Sequence, residues 1–166
     1  FPSERERLHY DANAGVLIQL GNWFDYLRQN DVWNNTKIIL VSDHGYALNL
    51  PAFESFAGDK QRAAWHNCFL MVKDFNAENA IHTDYTLMSN ADTPYLATKD
   101  VINNPTNPFT NNAITQHDKS EGITIYSNSR YAPEYHPKNT FNLKNGQIIK
   151  DSIFDATNWS TINDNN

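Results

Sequence analysis

The sequence predicts an α/β fold, in which part of a mostly parallel sheet is flanked by helices and a small antiparallel β-sheet is added at the C-terminal end. Three observations lead to this prediction. Apolar residues recur at helical spacing near the N-terminus, a short apolar run rich in β-branched residues follows, and two strand-like segments flank an Asn-Gly pair in the last third. A helix, a short loop and a buried strand in this order form half of a β-α-β unit.

The first predicted element is a helix from about residue 4 to about residue 30. Ser3 followed three residues later by Glu6 has the spacing of a capping box, which satisfies free backbone N–H groups at a helix start. Apolar residues at helical spacing form a stripe that we expect to pack against the sheet. The stripe consists of Leu17, Leu20, Phe24 and Leu27.

The next element is a strand at residues 38–41, which read Ile-Ile-Leu-Val. No polar residue alternates with the apolar ones, and this pattern is typical of a strand buried on both faces inside a parallel sheet. Functional side chains in such sheets gather beyond the carboxyl ends of the strands. Asp43 and His44 occupy that position, and Gly45 allows a sharp exit from the strand.

Asp43 and His44 are therefore candidate metal ligands. A carboxylate oxygen and a neutral imidazole nitrogen together suit Zn²⁺ or Mn²⁺, whereas Ca²⁺ prefers a shell of oxygen atoms. The alternative interpretation is a polar turn in which Asp43 caps the segment that follows.

A second apolar run at residues 67–72 predicts a second strand, and His66 stands at its start. His66 could reach the site as a ligand, could bind substrate by donating to a phosphate-type oxyanion, or could be a structural histidine. Cys68 lies inside this run, where a small buried side chain is the simpler interpretation. As the single cysteine of the chain, it excludes an internal disulfide and a cysteine-rich zinc site.

The remaining elements are predicted from local signals. Asn90 or Asp92 could cap a helix in the second half of residues 84–103, with Pro94 near its first turn. Residues 123–127 alternate as a half-exposed strand does, and segments 139–143 and 147–153 flank Asn-Gly as a hairpin does. We expect residues 1–120 to belong to the α/β body and residues 121–166 to form an antiparallel subdomain packed on it.

Composition limits the class of protein. The formal net charge of −6, without clusters of Lys and Arg, argues against a nucleic-acid partner. The chain has no apolar run near the length of about 18 residues that a membrane span requires. Any membrane anchor is expected to belong to sequence upstream of this chain.

The first part of the chain resembles a known family. The resemblance is carried by Tyr10-Asp11, the long helix, the segment Trp33-Asn34-Asn35-Thr36, the apolar strand and Ser42-Asp43-His44-Gly45. Together they resemble the sulfatase-like branch of the alkaline phosphatase superfamily, and most of all its bacterial, membrane-anchored lipoteichoic acid synthases and phosphoethanolamine transferases. The resemblance implies that Asp43 and His44 bind the catalytic metal ion.

The resemblance also implies a function and a location. We expect a hydrolase or transferase that acts on phosphodiesters or sulfate esters, which could be linked to lipids or glycans. It would work in the cell envelope, at the extracellular or periplasmic face of the membrane.

One part of the family pattern is missing. The family has a Thr or Ser nucleophile on an early strand and further acidic metal ligands, but Ser3 and Thr36 lie at unsuitable positions for a nucleophile. We therefore expect the chain to be the C-terminal part of a longer enzyme and to be inactive alone. Two alternatives remain open: a non-catalytic binding or structural α/β module that keeps the Asp-His pair as a relic, or an unrelated α/β domain.

Overall fold

The computed structural model describes residues 1–56, 60–125 and 146–162, without the side chains of residues 60–62. The chain divides into two compact units. Unit 1 contains Phe1–Leu40 and Leu70–His82, and unit 2 contains Val41–Phe69 and Thr83–Asn166. Within the described residues, every helix is too short or too polar to cross a lipid bilayer.

Unit 1 is built on one long helix, α1 (Glu4–Gln29), which confirms the predicted N-terminal helix. The Ser3 side chain accepts a hydrogen bond of 3.2 Å from the backbone N–H of Glu6, as a helix cap does. The residue after the helix, Asn30, caps its C-terminal end and donates its N–H to the carbonyl of Tyr26. In the apolar stripe Leu27 is buried, Leu20 and Phe24 are half-buried, and Leu17 is exposed, so the stripe is covered only near its C-terminal end.

The first sheet has two strands, β1 (Ile38–Val41) and β2 (Leu70–Lys73). Hydrogen bonds pair residue 34 with residue 76 and residue 42 with residue 69, so the two segments run in opposite directions. The buried Lys73 amine donates to the backbone carbonyls of Trp33 and Thr36 and lies 4.4 Å from the Trp33 ring centre. Burial, and next the charge of Arg28, lower the pKa of Lys73.

This pairing shows that the predicted mostly parallel α/β fold is wrong. Within the described residues both sheets are antiparallel and none is parallel. In β1, Ile38 is buried, Ile39 and Leu40 are half-buried and Val41 is exposed, so the strand is not covered on both faces. An apolar run indicates burial of a strand, but a partner on each side is what makes a strand internal. Among the described residues, β2 is the single partner of β1.

Unit 2 has a small aromatic core. Its central residue is Phe53, which is completely buried in a short 3-10 helix, η1 (Pro51–Phe53). The core is completed by Ala63 and Ala64 of helix α2 (Lys60–Trp65) and by partly buried apolar side chains. These partly buried side chains are Leu50, Phe56, Ile153 and Trp159.

The C-terminal part of unit 2 contains a three-stranded antiparallel sheet, as expected for this third of the chain. Its strands are β3 (Ile123–Ile125), β4 (Gln147–Ile149) and β5 (Trp159–Thr161), with β4 in the centre. Ile149 pairs with both Ile123 and Trp159 and is almost fully buried. The predicted strand at 139–143 and the Asn145 turn position lie outside the described residues, and the domain boundary at residue 120 stays a prediction.

Between these elements lie a second 3-10 helix, η2 (Asn90–Asp92), and helix α3 (Thr93–Thr98), with Pro94 in its first turn as predicted. Asp92 is 1% exposed. One of its carboxylate oxygens accepts from the backbone N–H of Ser89 at 2.8 Å, and the other accepts from the Lys119 amine at 2.8 Å. This buried ion pair connects the segment around residue 119 to the last residue of η2.

We predict that Lys119→Met lowers the free energy of unfolding by about 3 kcal/mol, because it leaves a buried carboxylate without its cation. Lys150→Met is the matched control, since Lys150 pairs with Glu121 where both side chains are exposed, and its loss should cost less than about 1 kcal/mol. Urea denaturation of the two variants checks the difference. Equal effects would show that the Asp92–Lys119 pair is no more stabilising than a surface pair.

Candidate functional site

The candidate site is formed by the segment that follows β1 and lies within unit 2. Ser42 donates from its N–H to the carbonyl of Phe69 at 2.9 Å, and its hydroxyl accepts from the N–H of Phe69 at 2.8 Å. The N–H of Gly45 donates to the carbonyl of Trp65 at 2.7 Å. Backbone hydrogen bonds at both ends therefore fix the segment that carries Asp43 and His44.

Gly45 is required by this close approach of two backbone segments. A Cβ atom at residue 45 would collide with the carbonyl oxygen of Ala64 and would lie 2.6 Å from that of Asn67. Both obstacles are backbone atoms, which cannot turn away as a flexible side chain can. This geometry agrees with the prediction that Gly45 allows the chain to turn sharply after strand β1.

The imidazole of His44 is held in one orientation. Its ring lies flat against the Trp65 ring, with centres 4.0 Å apart and planes 11° apart. Its Nδ1 atom lies 2.6 Å from the carbonyl oxygen of Gly45. Because a carbonyl oxygen can only accept a hydrogen bond, Nδ1 must carry the proton, and in the neutral ring Nε2 keeps the free lone pair.

The two carboxylate oxygens of Asp43 have different surroundings. Oδ1 accepts from the backbone N–H of His44 at 2.9 Å, while Oδ2 lies 3.7 Å from Nε2 of His44. The side chains are 87% exposed for Asp43 and 43% exposed for His44, so both are accessible to a ligand. The hydrogen bond from the His44 N–H to Oδ1 agrees with the polar-turn alternative. It does not involve Oδ2, which can still contact a ligand.

The distance of 3.7 Å between Oδ2 of Asp43 and Nε2 of His44 is compatible with two ligand atoms of one divalent ion. Zinc bonds of about 2.0–2.2 Å to oxygen and nitrogen allow two ligand atoms of one ion to lie roughly 3–4 Å apart. The described residues hold no group of three or more His, Cys, Asp and Glu side chains that could bind a metal ion. Within the part of the chain that the structure describes, the pair thus supplies two donor atoms, Asp43 Oδ2 and His44 Nε2.

Two other residues were considered in the sequence analysis, His66 and Cys68. His66 follows α2, and its ring centre lies 6.1 Å from that of Trp159 in the C-terminal part of unit 2. Its predicted role in substrate binding stays a prediction.

Cys68 is half-buried, and its thiol donates to the carbonyl of Asp43 at 3.6 Å. Burial, and next the charge of Asp43, raise the pKa of this thiol, which disfavours the thiolate that metal binding requires.

Sequence reasoning missed two residues that shape the site. Trp65 forms the flat surface on which the His44 ring rests. Asn90 donates from its side-chain amide to the carbonyls of Ser42 and Asp43, both at 3.0 Å. Neither residue belongs to a local motif around Asp43, and Asn90 is 47 residues away from it in the chain.

Comparisons of this chain with protein-family models, curated proteins and solved structures found no match. The geometry of the Asp43–His44 pair is therefore the structural observation from which a function is inferred.

We predict that neutral His44 carries its proton on Nδ1, because the Gly45 carbonyl is an obligatory acceptor. Imidazole ¹⁵N chemical shifts of histidine-labelled protein report the tautomer directly, and the His44→Gln variant assigns the signal by its disappearance. A dominant Nε2–H tautomer would contradict the proposed orientation of the lone pair.

We also predict that Gly45→Ala lowers the free energy of unfolding by about 3 kcal/mol, since a backbone collision must be relieved. Gly21→Ala is the matched control. Gly21 lies in α1 with open space around its Cβ position, so the same substitution should stabilise the helix by up to about 1 kcal/mol. Thermal unfolding of the two variants tests this, and a tolerated Gly45→Ala would show that the two backbone segments lie further apart.

Proposed function

We propose that Asp43 and His44 are ligands of a Zn²⁺ or Mn²⁺ ion in an enzyme that acts on phosphate or sulfate esters. The observation that carries the metal part of the proposal is the 3.7 Å separation of Asp43 Oδ2 and His44 Nε2, in a ring whose other nitrogen is bonded to a backbone carbonyl. The ester part rests on the resemblance of the Ser42-Asp43-His44-Gly45 segment and its surroundings to the sulfatase-like enzymes.

The surroundings of His44 support a role as a ligand. Metal-binding histidines almost always donate their second ring N–H to a carbonyl, a carboxylate or water, and this bond fixes the tautomer and the direction of the ring. The Gly45 carbonyl serves this purpose, and the stack on Trp65 holds the plane of the ring. Little reorganisation of His44 is then required when an ion binds.

The exposure of the pair supports access by a charged substrate. The backbone N–H of His44 donates to Asp43 Oδ1 and not to Oδ2, and the Asp43 side chain is largely exposed. A divalent ion held there would neutralise negative charge on the ester oxygens and lower the pKa of a nearby hydroxyl nucleophile.

In this proposal the reaction begins with attack of a Thr or Ser hydroxyl on the phosphorus or sulfur atom of the ester. The alcohol group of the substrate leaves, and a covalent intermediate forms on the hydroxyl oxygen. Water or an acceptor alcohol then displaces the nucleophile, which gives hydrolysis or transfer. In this proposal the nucleophile and the remaining ligands are supplied by a part of the enzyme other than the described residues.

On the basis of the resemblance, the proposed location of this chemistry is the extracellular or periplasmic face of a bacterial cell envelope, and the proposed substrates are esters linked to lipids or glycans. A non-catalytic module with a relic pair is the second candidate. The observation in its favour is that the described residues supply two metal donors and not three.

We predict that Zn²⁺ or Mn²⁺ binds this protein and that Asp43→Asn or His44→Gln lowers the affinity at least about 10-fold, because each removes one ligand atom. The matched controls are Asp25→Asn, on the exposed surface of α1, and His82→Gln, in an exposed segment. Isothermal titration with each metal ion measures the affinities.

The ester part of the proposal needs a separate measurement. Phenylphosphonate, a phosphate-like anion without an ester bond, should bind the Zn²⁺-loaded protein and should fail to bind the His44→Gln variant. Metal binding without anion binding would favour a site of another kind. No metal binding, or equal binding by all variants, would reject the ligand pair and favour the non-catalytic module.

A further inference from the structure

We propose that Asn90 is a positioning residue that fixes the peptide unit between Asp43 and His44. For its effect on metal affinity this inference rests on the proposed function. The effect on the orientation of His44 can be measured without any metal ion. The two parts can therefore fail separately.

The contacts of the Asn90 amide lead to this inference. The side-chain nitrogen of Asn90 donates to the carbonyl of Ser42 and to the carbonyl of Asp43, each at 3.0 Å. These carbonyls belong to two consecutive peptide groups. One donor group that holds two consecutive acceptors restricts the rotation of the backbone between them.

The second of these peptide groups is the one that joins the two candidate ligands. A peptide bond is planar, so the direction of the Asp43 carbonyl also sets the direction of the His44 N–H. That N–H donates to Oδ1 of Asp43 at 2.9 Å and thereby orients the carboxylate. Fixing this one peptide plane therefore fixes the Asp43 side chain and the start of His44 together.

Asn90 is itself held by a rigid support. It is the first residue of η2, whose capping box joins Ser89 and Asp92 by reciprocal hydrogen bonds. Asp92 is 1% exposed and is paired with Lys119, whose side chain is 13% exposed. Asn90 is exposed, and it lies directly between the half-buried Ser89 and the segment that ends at the buried Asp92, so the capping box holds its backbone in place.

Other asparagines make a different kind of contact. Asn13 donates to the carbonyl of His9, four residues away, and Asn158 donates to that of Ser152, six residues away. Such bonds stabilise the local turn or helix to which the asparagine belongs. Asn90 instead connects segments 47 and 48 residues apart and contacts the candidate ligands' own backbone.

The experiment compares Asn90→Asp with Asn158→Asp in the intact protein. Both changes replace an amide donor with a carboxylate, add the same negative charge and break a side-chain bond to a backbone carbonyl within unit 2. The first readout is the His44 imidazole ¹⁵N and ¹H spectrum of the metal-free protein. The second is Zn²⁺ affinity, and thermal unfolding of both variants records any general loss of stability.

We expect Asn90→Asp to shift the His44 imidazole signals and to lower Zn²⁺ affinity about 10-fold or more. Substitution of residues that orient metal ligands by hydrogen bonds has an effect of this size. Asn158→Asp should change neither readout. Unchanged His44 signals in Asn90→Asp, or equal shifts in both variants, would overturn the inference.

The failure of the proposed function gives a different result. If the unsubstituted protein binds no Zn²⁺ while Asn90→Asp still shifts the His44 signals, the metal proposal is wrong and the positioning role is supported. If Zn²⁺ binds and Asn90→Asp changes neither the signals nor the affinity, the metal proposal is supported and the positioning role is wrong.

Discussion

The close approach of two backbone segments at Gly45 determines the geometry of the candidate site. No side chain fits between residue 45 and the carbonyls of Ala64 and Asn67, so the segment after β1 is in direct contact with the end of α2 and the turn that follows it. This contact brings the Gly45 N–H to the Trp65 carbonyl. The position of Trp65 then determines where the His44 ring can lie, and through the ring it determines the direction of Nε2.

The site is well oriented but only partly enclosed. Its order comes from neutral hydrogen bonds to backbone groups, from the flat contact between two rings and from one buried ion pair at Asp92. The attraction between the exposed Asp43 carboxylate and a charged His44 is weakened by solvent, so this pair stabilises the fold little by itself. The stability of the segment therefore comes from its backbone contacts and from the buried ion pair, and not from the exposed Asp43–His44 pair itself.

The sequence allowed some of these features to be predicted, because they depend on neighbouring residues. The spacing of Ser3 and Glu6 predicts the start of helix α1. The apolar run at residues 38–41 predicts the strand after which Asp43 and His44 lie. The sheet type could not be predicted in this way. A run of four apolar residues is the same whether the strand lies inside a parallel sheet or in a two-stranded antiparallel one, and only its partner decides. Trp65 and Asn90 could not be assigned either, since their roles depend on contacts between distant segments.

The stack of His44 on Trp65 gives the molecule an optical property. Indole is the aromatic ring that interacts most strongly with a cation on its face, and an imidazole 4.0 Å away becomes such a cation when it is protonated. The fluorescence of Trp65 should therefore respond to any event that changes the charge or electron density of the imidazole. Replacing the three other tryptophans, Trp23, Trp33 and Trp159, with phenylalanine would leave Trp65 as an intrinsic fluorescent probe of the state of His44.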